Sequence, residues 1–351
     1  MRVNFVLPGL GDSGGIKVVR KYVELMKERD VDVCIYCSLL ADNLHRYSSD
    51  FLNFVHQVYC TIKLFCKAIN SKDKEIRWVF RISDKYIREA DVTVATLWTT
   101  AYQVNSLSDK CGRKYYFIQG YEVWDDEKLG KESYLLPLKK IVISGWLNKQ
   151  LEDNLNIGPF PVVYNGLETK VFKNAKKIYN ENKETITCLM LNHTMKEKGV
   201  PYGLKAYEIV KEKYPNCKLK MFGMCPKGDL PEYIEYFQNP TKDVLINLYS
   251  TADIFIFPSI EEGWGLTPLE AMACKCAVVG SETGFVLDLG KHRENMMISE
   301  PKDSEGMAQN IIELIENREL LREISENGYN ISLKLDWEKS LDVFIKLLEE
   351  E

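Results

Sequence analysis

The chain has 351 residues, of which 45% are hydrophobic and 28% charged, with a formal net charge of −5. That length suits two cores at about 100 to 200 residues per domain, and the mixture excludes a disordered or fibrous chain. Residues 1–170 carry 24 Lys/Arg against 21 Asp/Glu, and residues 171–351 carry 22 against 30, a balance that argues against a generally basic nucleic-acid binder.

No apolar run approaches the roughly 18 uncharged residues needed to span a bilayer, and Met1 to Pro8 reads as a first strand rather than a leader. Ten cysteines are scattered without repeated spacing, so free thiols in a reducing, cytoplasmic setting are expected. Cys34-Ile-Tyr-Cys37 is a lone C-x-x-C; on a strand its side chains fall on opposite faces, which is poor metal geometry.

In chain order, Val3 to Leu7 is a short apolar run, followed by a Gly-rich turn and a helical pattern from Ile16 to Met26. Val31 to Cys37, Val92 to Leu97, Tyr115 to Ile118 and Ile141 to Ser144 read as further strands. After Gly158-Pro-Phe-Pro161, Asn165-Gly166 and the polar run from Asn174 to Glu184, which mark a linker, the rhythm repeats. Thr187 to Leu191, Lys218 to Phe222, Ile254 to Phe257 and Ala277 to Gly280 read as strands, with helices near Gly203 to Glu212 and from Pro268. Such alternation predicts parallel sheets covered by helices. The domain boundary is placed at residue 167, giving domains of 1–167 and 168–333. Asp336 to Leu348 is an amphipathic helix long enough to leave the second domain and pack on the first (about 334–351).

The strongest chemical signal is Phe257-Pro-Ser-Ile-Glu-Glu-Gly-Trp-Gly-Leu-Thr-Pro-Leu-Glu-Ala-Met-Ala273, which follows a strand and opens a helix. Thr267 suits the N-cap, Pro268 the first helical position and Glu270 the third. Backbone N–H groups at such a start can hold a phosphate, and glycines before it let the backbone come close. Glu262 and Glu270 would then flank the anion and accept hydrogen bonds from sugar hydroxyls. The competing reading is that Thr267-Pro-Leu-Glu270 is simply a capping box and Glu270 only stabilises its helix.

The Glu-x7-Glu block within E-G-W-G-L-T-P-L-E-A-M-A resembles the donor-site motif of GT-B glycosyltransferases, especially the retaining family four. Gly14-Gly15, Val142-Ile-Ser144, Tyr164-Asn-Gly166, Lys198-Gly199, Phe222-Gly223, Leu248-Tyr249, Ala252-Asp253 and Asp336-Trp337 fall in the order that family shows. The resemblance implies two Rossmann-like α/β lobes facing across a cleft, the nucleotide sugar mainly on the second and the acceptor mainly on the first. It implies that Glu270 holds the ribose hydroxyls, that Glu262 faces the transferred sugar, and that the amides of Gly265, Leu266 and Thr267 meet the diphosphate. Lys198 matches the lysine that neutralises the diphosphate, where a fixed cation helps the leaving group most.

Two departures bear on the site. Five residues before Lys198 the family commonly has an arginine, and this chain has His193, which can donate to phosphate but lacks the charged fork. Where many members carry a histidine, this chain has Gln119, so a general base there is not implied; Gln119 can hold the donor sugar or the acceptor, with Glu122 and Trp124 as nearby candidates.

Gly9-Leu-Gly11-Asp-Ser-Gly14 also matches the G-x-G-x-x-G dinucleotide fingerprint, so an NAD-dependent oxidoreductase is a rival. That fingerprint wants an acid at the end of the second strand, and Val33-Cys-Ile-Tyr-Cys-Ser38 supplies none; a Gly14-Gly15 loop facing the donor or acceptor is favoured. Asp30-Val-Asp32 has the D-x-D form of metal-dependent transferases but precedes a strand, and reads as a solvated turn. No metal and no cofactor beyond the donor substrate is expected. From Lys63 to Arg88 there are eight Lys/Arg against three Asp/Glu, interleaved with Phe65, Trp78, Phe80 and Tyr86. This stretch, within residues 62–90, suits peripheral contact with an anionic membrane or a charged acceptor, and equally an ordinary solvated helix with a buried aromatic face.

The expectation is a retaining, metal-independent hexosyl- or deoxyhexosyltransferase using a nucleotide diphosphate sugar. Its acceptor would be a glycan or a lipid-linked carbohydrate of surface polysaccharide biosynthesis, with no nucleic-acid partner, in the cytoplasm or on the inner membrane face. A noncatalytic sugar-nucleotide-binding module is the third reading, suggested by His193 and Gln119.

Overall fold

A computed structural model describes residues 1–9, 11, 13–41, 49–71, 75–124, 126–172 and 185–350. The expected linker run 174–184, with Leu10 and Asp12 of the glycine-rich turn and residues 72–74 of the basic stretch, lies outside the described residues. The chain divides into two compact units, one of Met1–Ile143, Leu147–Val163 and Ser340–Glu351, the other of Ser144–Trp146 and Tyr164–Lys339.

From the N-terminus to residue 155 the elements are β1 (Arg2–Leu7), α1 (Gly14–Glu28), β2 (Asp32–Ser38), α2 (Asp50–Asn70), β3 (Ile76–Val79), β4 (Val92–Ala95), α3 (Trp98–Asn105), β5 (Arg113–Ile118), α4 (Glu127–Ser133), β6 (Lys139–Val142) and α5 (Gly145–Leu155). There follow β7 (Thr187–Leu191), α6 (Val200–Lys213), β8 (Lys218–Gly223), β9 (Glu235–Gln238), α7 (Lys242–Thr251), β10 (Ile254–Phe257), α8 (Leu266–Ala273), β11 (Ala277–Ser281), α9 (Val286–Leu289), β12 (Met297–Ser299), α10 (Ser304–Glu316), α11 (Arg318–Ser332) and α12 (Trp337–Glu349).

The first unit holds a parallel sheet in the order β3-β2-β1-β4-β5-β6, and the second a parallel sheet in the order β12-β11-β10-β7-β8-β9. Counted along each unit, both orders are 3-2-1-4-5-6 read from one edge, the doubly wound arrangement in which ligands sit beyond the strand carboxyl ends where the order reverses. That point lies between β1 and β4 in the first unit and between β7 and β10 in the second. The central strands are mostly apolar, as sheets covered on both faces require: β10 is Ile-Phe-Ile-Phe with every residue buried.

Three short strands are absent from the reading above. β3, β9 and β12 each have three or four residues and sit at or next to a sheet edge, where one-sided burial leaves too brief a pattern to read. The basic stretch 62–90 is not one helix but the end of α2, then β3, then turns. Asp32 is likewise not a free turn residue: it is the first residue of β2 and receives Arg2 Nε at 2.9 Å and an Arg88 guanidinium nitrogen at 2.6 Å, which hold its carboxyl below the usual range.

The last eleven described residues, 340–350, belong to the first unit. Phe344 on α12 packs against Tyr22, Phe117 and Phe5 with ring centroids 4.8, 5.0 and 6.2 Å apart, and all four rings are buried. Phe344→Ala is expected to cost the chain about 3 to 5 kcal/mol, the usual range for removing a fully buried ring; urea denaturation followed by tryptophan fluorescence measures it, and a shift of a few tenths would show that the helix end contributes little.

Candidate functional site

In the second unit the two loops at the point of reversal are the one after β7, which carries His193 and Lys198, and the one after β10, which carries Glu262. Glycines bring them together. Gly199 has φ +62, and a Cβ on it would lie 1.9 Å from the Pro258 carbonyl oxygen, so only glycine allows the first loop to rest on the second. The Glu197 carbonyl accepts from Ile260 N at 2.7 Å and from Glu261 N at 3.3 Å. Lys198 Nζ consequently reaches Glu262 Oε2 at 2.6 Å, with the two side chains 24% and 17% exposed. Lys198 is thus a half-buried, ion-paired cation rather than a surface lysine.

Glu262 is fixed from several sides. Its N–H donates to the buried Thr283 hydroxyl at 3.0 Å, and the Ser259 hydroxyl reaches its carboxylate at 3.4 Å. Gly284, at φ +60, lies against the same loop: a Cβ there would stand 2.5 Å from the Trp264 carbonyl oxygen. Trp264 in turn stacks on Tyr164 with centroids 4.9 Å apart, and Ser144 Oγ donates to the Gly263 carbonyl at 2.7 Å. Tyr164 donates to Asp288 Oδ1 at 3.2 Å, and Asp288 also receives Gly145 N at 2.9 Å. Burial pushes the Asp288 carboxyl up against the pull of those donors, and burial followed by the Asp288 charge pushes the Tyr164 hydroxyl up to about 12.

The helix start differs from the capping box expected from sequence. α8 begins at Leu266, with Gly265 as N-cap at φ 100 and no side-chain cap. Thr267 and Pro268 are its second and third residues, and Glu270 its fifth. The reason is steric: Gly265 is sealed among Phe257, Phe285 and Pro268, where a Cβ would meet atoms at 3.2 to 3.4 Å, and its left-handed backbone starts the helix earlier than Thr267 would. The first-turn donors are then Leu266 and Thr267, since Pro268 has no N–H. Glu270 does not close the helix end; its Oε2 accepts from the Tyr249 hydroxyl of α7 at 3.0 Å. Tyr249 is fully buried, and its burial with the Glu270 charge raises its hydroxyl well above the usual value.

His193 Nδ1 accepts from Met195 N at 3.1 Å, which leaves the neutral ring's proton on Nε2. Burial first, then the Lys198 charge, lowers its pKa. At neutral pH His193 is therefore an uncharged donor, and the permanent positive charge of this corner rests on Lys198.

The first unit brings Gly15 and Gln119 together. Gly14 and Gly15 are not loop residues but the first two of α1, capped by Ser13, whose hydroxyl accepts from Ile16 N at 3.5 Å. A Cβ on Gly15 would meet the Gln119 amide at 3.3 Å, so the Gln119 side chain, one residue past β5, lies over the start of α1. Its Oε1 is buried with no partner among the described residues. β2 ends at Ser38, whose hydroxyl donates to the Leu40 carbonyl at 2.7 Å, so the oxidoreductase fingerprint finds no carboxylate there.

Glu122 is buried beneath this turn rather than lining a site, while Trp124 is 54% exposed. Glu122 Oε2 accepts from Tyr116 OH and from Trp98 N, both at 2.7 Å, and the Tyr134 hydroxyl joins Glu122 N to the Gly120 carbonyl at 2.6 and 3.1 Å. Burial pushes the Glu122 carboxyl up to about 8, against the two donors that pull it down.

Comparison with known proteins bears on the second unit. The sequence profile of the glycosyl transferases group 1 matches residues 171–331. These residues form a glycosyl transferases group 1 domain. An uncharacterized glycosyltransferase of Methanocaldococcus jannaschii is 27% identical over 220 residues, 60% of this chain and 59% of that protein. The capsular polysaccharide biosynthesis glycosyltransferase CapM of Staphylococcus aureus is 25% identical over 232 residues, 62% and 58% of the two chains. The match therefore spans under three-fifths of the length of these curated relatives. Among solved structures, sucrose-phosphate synthase of Thermosynechococcus elongatus superposes with a TM-score of 0.74 at 15% identity over 99% of this chain and 98% of that one. Anabaena HepE in complex with UDP and glucose superposes with a TM-score of 0.71 at 13% identity over the whole of both chains. At such identities the likeness is one of fold, and the fold is the two-lobed α/β GT-B architecture.

The group 1 domain contains His193, Lys198, Glu262, Gly265, Leu266, Thr267 and Glu270; Gly14, Gly15 and Gln119 stand in the other unit. Sequence reasoning missed Thr283, which holds the Glu262 backbone, and Asp288; it placed Tyr249, Tyr164 and Trp264 in matching segments without their roles, which are to hold the Glu270 carboxylate and to form an anchor with Asp288. Thr283-Gly284 is a visible turn signal after β11; nothing in the sequence marks Asp288.

The Glu122 carboxyl titrates near 8 when folded against an ordinary 4.5 when unfolded. An acid whose folded value is raised contributes stability that is complete below the unfolded value and is lost as pH rises towards the folded one. Glu122→Gln keeps an oxygen acceptor for Tyr116 and Trp98 and cannot ionise. The variant is expected to match wild type near pH 4.5 and to exceed it by a few kcal/mol at pH 8; parallel thermal melts across that range that never diverge would show the carboxyl to be ionised in the fold.

Proposed function

We propose that the chain transfers a glycosyl group from a nucleoside diphosphate sugar to a hydroxyl of a glycan or lipid-linked acceptor. The observation that carries the reading is the Lys198–Glu262 pair at 2.6 Å, at the sheet's point of reversal, within a group 1 domain and three residues before the glycine that caps α8. A cation, two first-turn amides and the positive end of a helix suit a diphosphate. Glu262, whose Oε2 meets Lys198 and Ser259, and Glu270, whose Oε2 accepts from Tyr249, suit sugar and ribose hydroxyls as acceptors.

On this reading Lys198 leaves Glu262 in part when the diphosphate arrives, and Glu262 is freed to orient the sugar. As the bond from the anomeric carbon to the diphosphate breaks, negative charge grows on the leaving oxygen; Lys198, the Leu266 and Thr267 amides and the His193 Nε2 donor meet it. No metal is needed for that neutralisation. The family resemblance favours retention of anomeric configuration, with the leaving phosphate taking the acceptor's proton, because Gln119 cannot act as a base. The likeness to HepE, which was solved with UDP and glucose, supports a nucleoside diphosphate donor, and the capsular relative CapM supports a surface polysaccharide as product.

Lys198→Met, Glu262→Gln and Glu270→Gln are each expected to lower kcat/KM at least about tenfold, roughly 1.4 kcal/mol, with the fold intact by circular dichroism. Lys198→Met acts mainly on kcat and Glu270→Gln mainly on donor binding. A panel of UDP-, GDP- and dTDP-sugars, read by thermal shift and then by transfer to a lipid extract, supplies the substrates. Near-normal turnover in all three variants would discard the assignment; donor binding without turnover in wild type would favour a binding module.

A further inference from the structure

We infer that α2 is a docking surface by which the first unit lies on an anionic lipid bilayer. The helix is turned largely inside out. Apart from Leu64, its inward residues are polar or small: Asn53 is buried, the Gln57 amide donates to the Ala41 carbonyl at 2.9 Å, and the Thr61 hydroxyl accepts from Ala41 N at 3.1 Å. Its apolar residues face solvent among the described residues, with Phe51 72%, Phe54 59%, Val58 42%, Ile62 58% and Ile69 79% exposed. An amphipathic helix in water buries its apolar stripe, so this face implies an apolar partner.

Three features select a bilayer as that partner. At about 100° per residue the apolar arc from Phe54 round to Leu52 covers roughly 160°, wider than the a/d seam of a helix pair. Lys63 and Lys67 border it on one side, and both are exposed; such lysines reach phosphate headgroups while their stems lie on the acyl boundary. Beyond the helix in sequence, Arg77, Arg81 and Lys85 add exposed positive charge, beside the exposed Phe80 and Tyr86, a mixture suited to anionic headgroups. No described helix is long and apolar enough to cross a membrane, so the geometry is that of a helix lying in the interface plane. The inference is independent of the proposed sugar chemistry.

The test is co-sedimentation of the full chain with sucrose-loaded vesicles of phosphatidylcholine alone or with 30% phosphatidylglycerol as the probe (about 30%, an anionic content chosen to develop a surface potential). Wild type is expected to pellet with the anionic vesicles and much less with the neutral ones. Val58→Ser with Ile62→Ser, both at exposed sites, should lower the partition coefficient at least about tenfold, and Lys63→Glu with Lys67→Glu should do so on anionic vesicles alone. Circular dichroism and thermal melts establish that both double variants fold. Wild type left in the supernatant, or folded variants that pellet like wild type, would overturn the proposal. So would sedimentation equilibrium showing a dimer that Val58→Ser with Ile62→Ser dissolves, in the absence of vesicle binding, because Phe51, Val55, Val58, Ile62, Phe65 and Ile69 also repeat at heptad spacing.

Discussion

Gly199 lies against the carbonyl of Pro258, and the candidate site depends on that contact. With a Cβ position 1.9 Å from the oxygen, any other residue would push the loop after β7 off the loop after β10. Lys198 would then lose the place from which it reaches Glu262. The same principle recurs across the loop, where Gly284 admits the Trp264 carbonyl and Gly265 fits among two aromatic rings and a proline. Gly199 and Gly284, each in a left-handed backbone, bring their segments to backbone distance of the loop after β10, and Gly265 lets that loop turn among side chains. The charged pair is the visible result; the glycine contacts are the constraint.

Around this loop the second unit uses buried polar side chains as fasteners. Thr283 holds the Glu262 amide, Ser144 holds the Gly263 carbonyl, and Tyr249 holds the Glu270 carboxylate. Each leaves acceptor capacity on the two glutamates, since a carboxylate offers about four lone-pair sites. On the proposed reading, such preorganisation holds the two carboxylates in place as acceptors for sugar and ribose hydroxyls before a ligand arrives.

The first unit shows the opposite economy. Gln119 rests on Gly15 with a buried carbonyl oxygen that has no partner among the described residues, and beneath it Glu122, Tyr116, Tyr134 and the α3 N-terminus form a hydrogen-bonded network in the interior. A carboxyl there is tolerated because it can be neutral, and the network keeps the turn after β5 in one conformation. At the surface, α2 reverses the usual placement of apolar and polar residues. Interior order and exterior apolarity in one unit suit a body that presents a rigid turn while resting on something apolar.

The sequence alone determined the alternation of strands and helices, the central strands, and the loop between β10 and α8 as the candidate site, because period, turn residues and the spacing of Glu262 and Glu270 are local properties. Lys198 and His193 were named by order along the chain. Tertiary structure alone decided that Lys198 touches Glu262, that Gly265 rather than Thr267 opens α8, and that Glu270 answers to Tyr249 instead of to its own helix end. It also decided that Glu122 is interior and that α2 wears its apolar face outward. These outcomes turn on which backbones approach within a Cβ of each other and on which face of an element is covered, and both are set by residues dozens of positions away that no local pattern records.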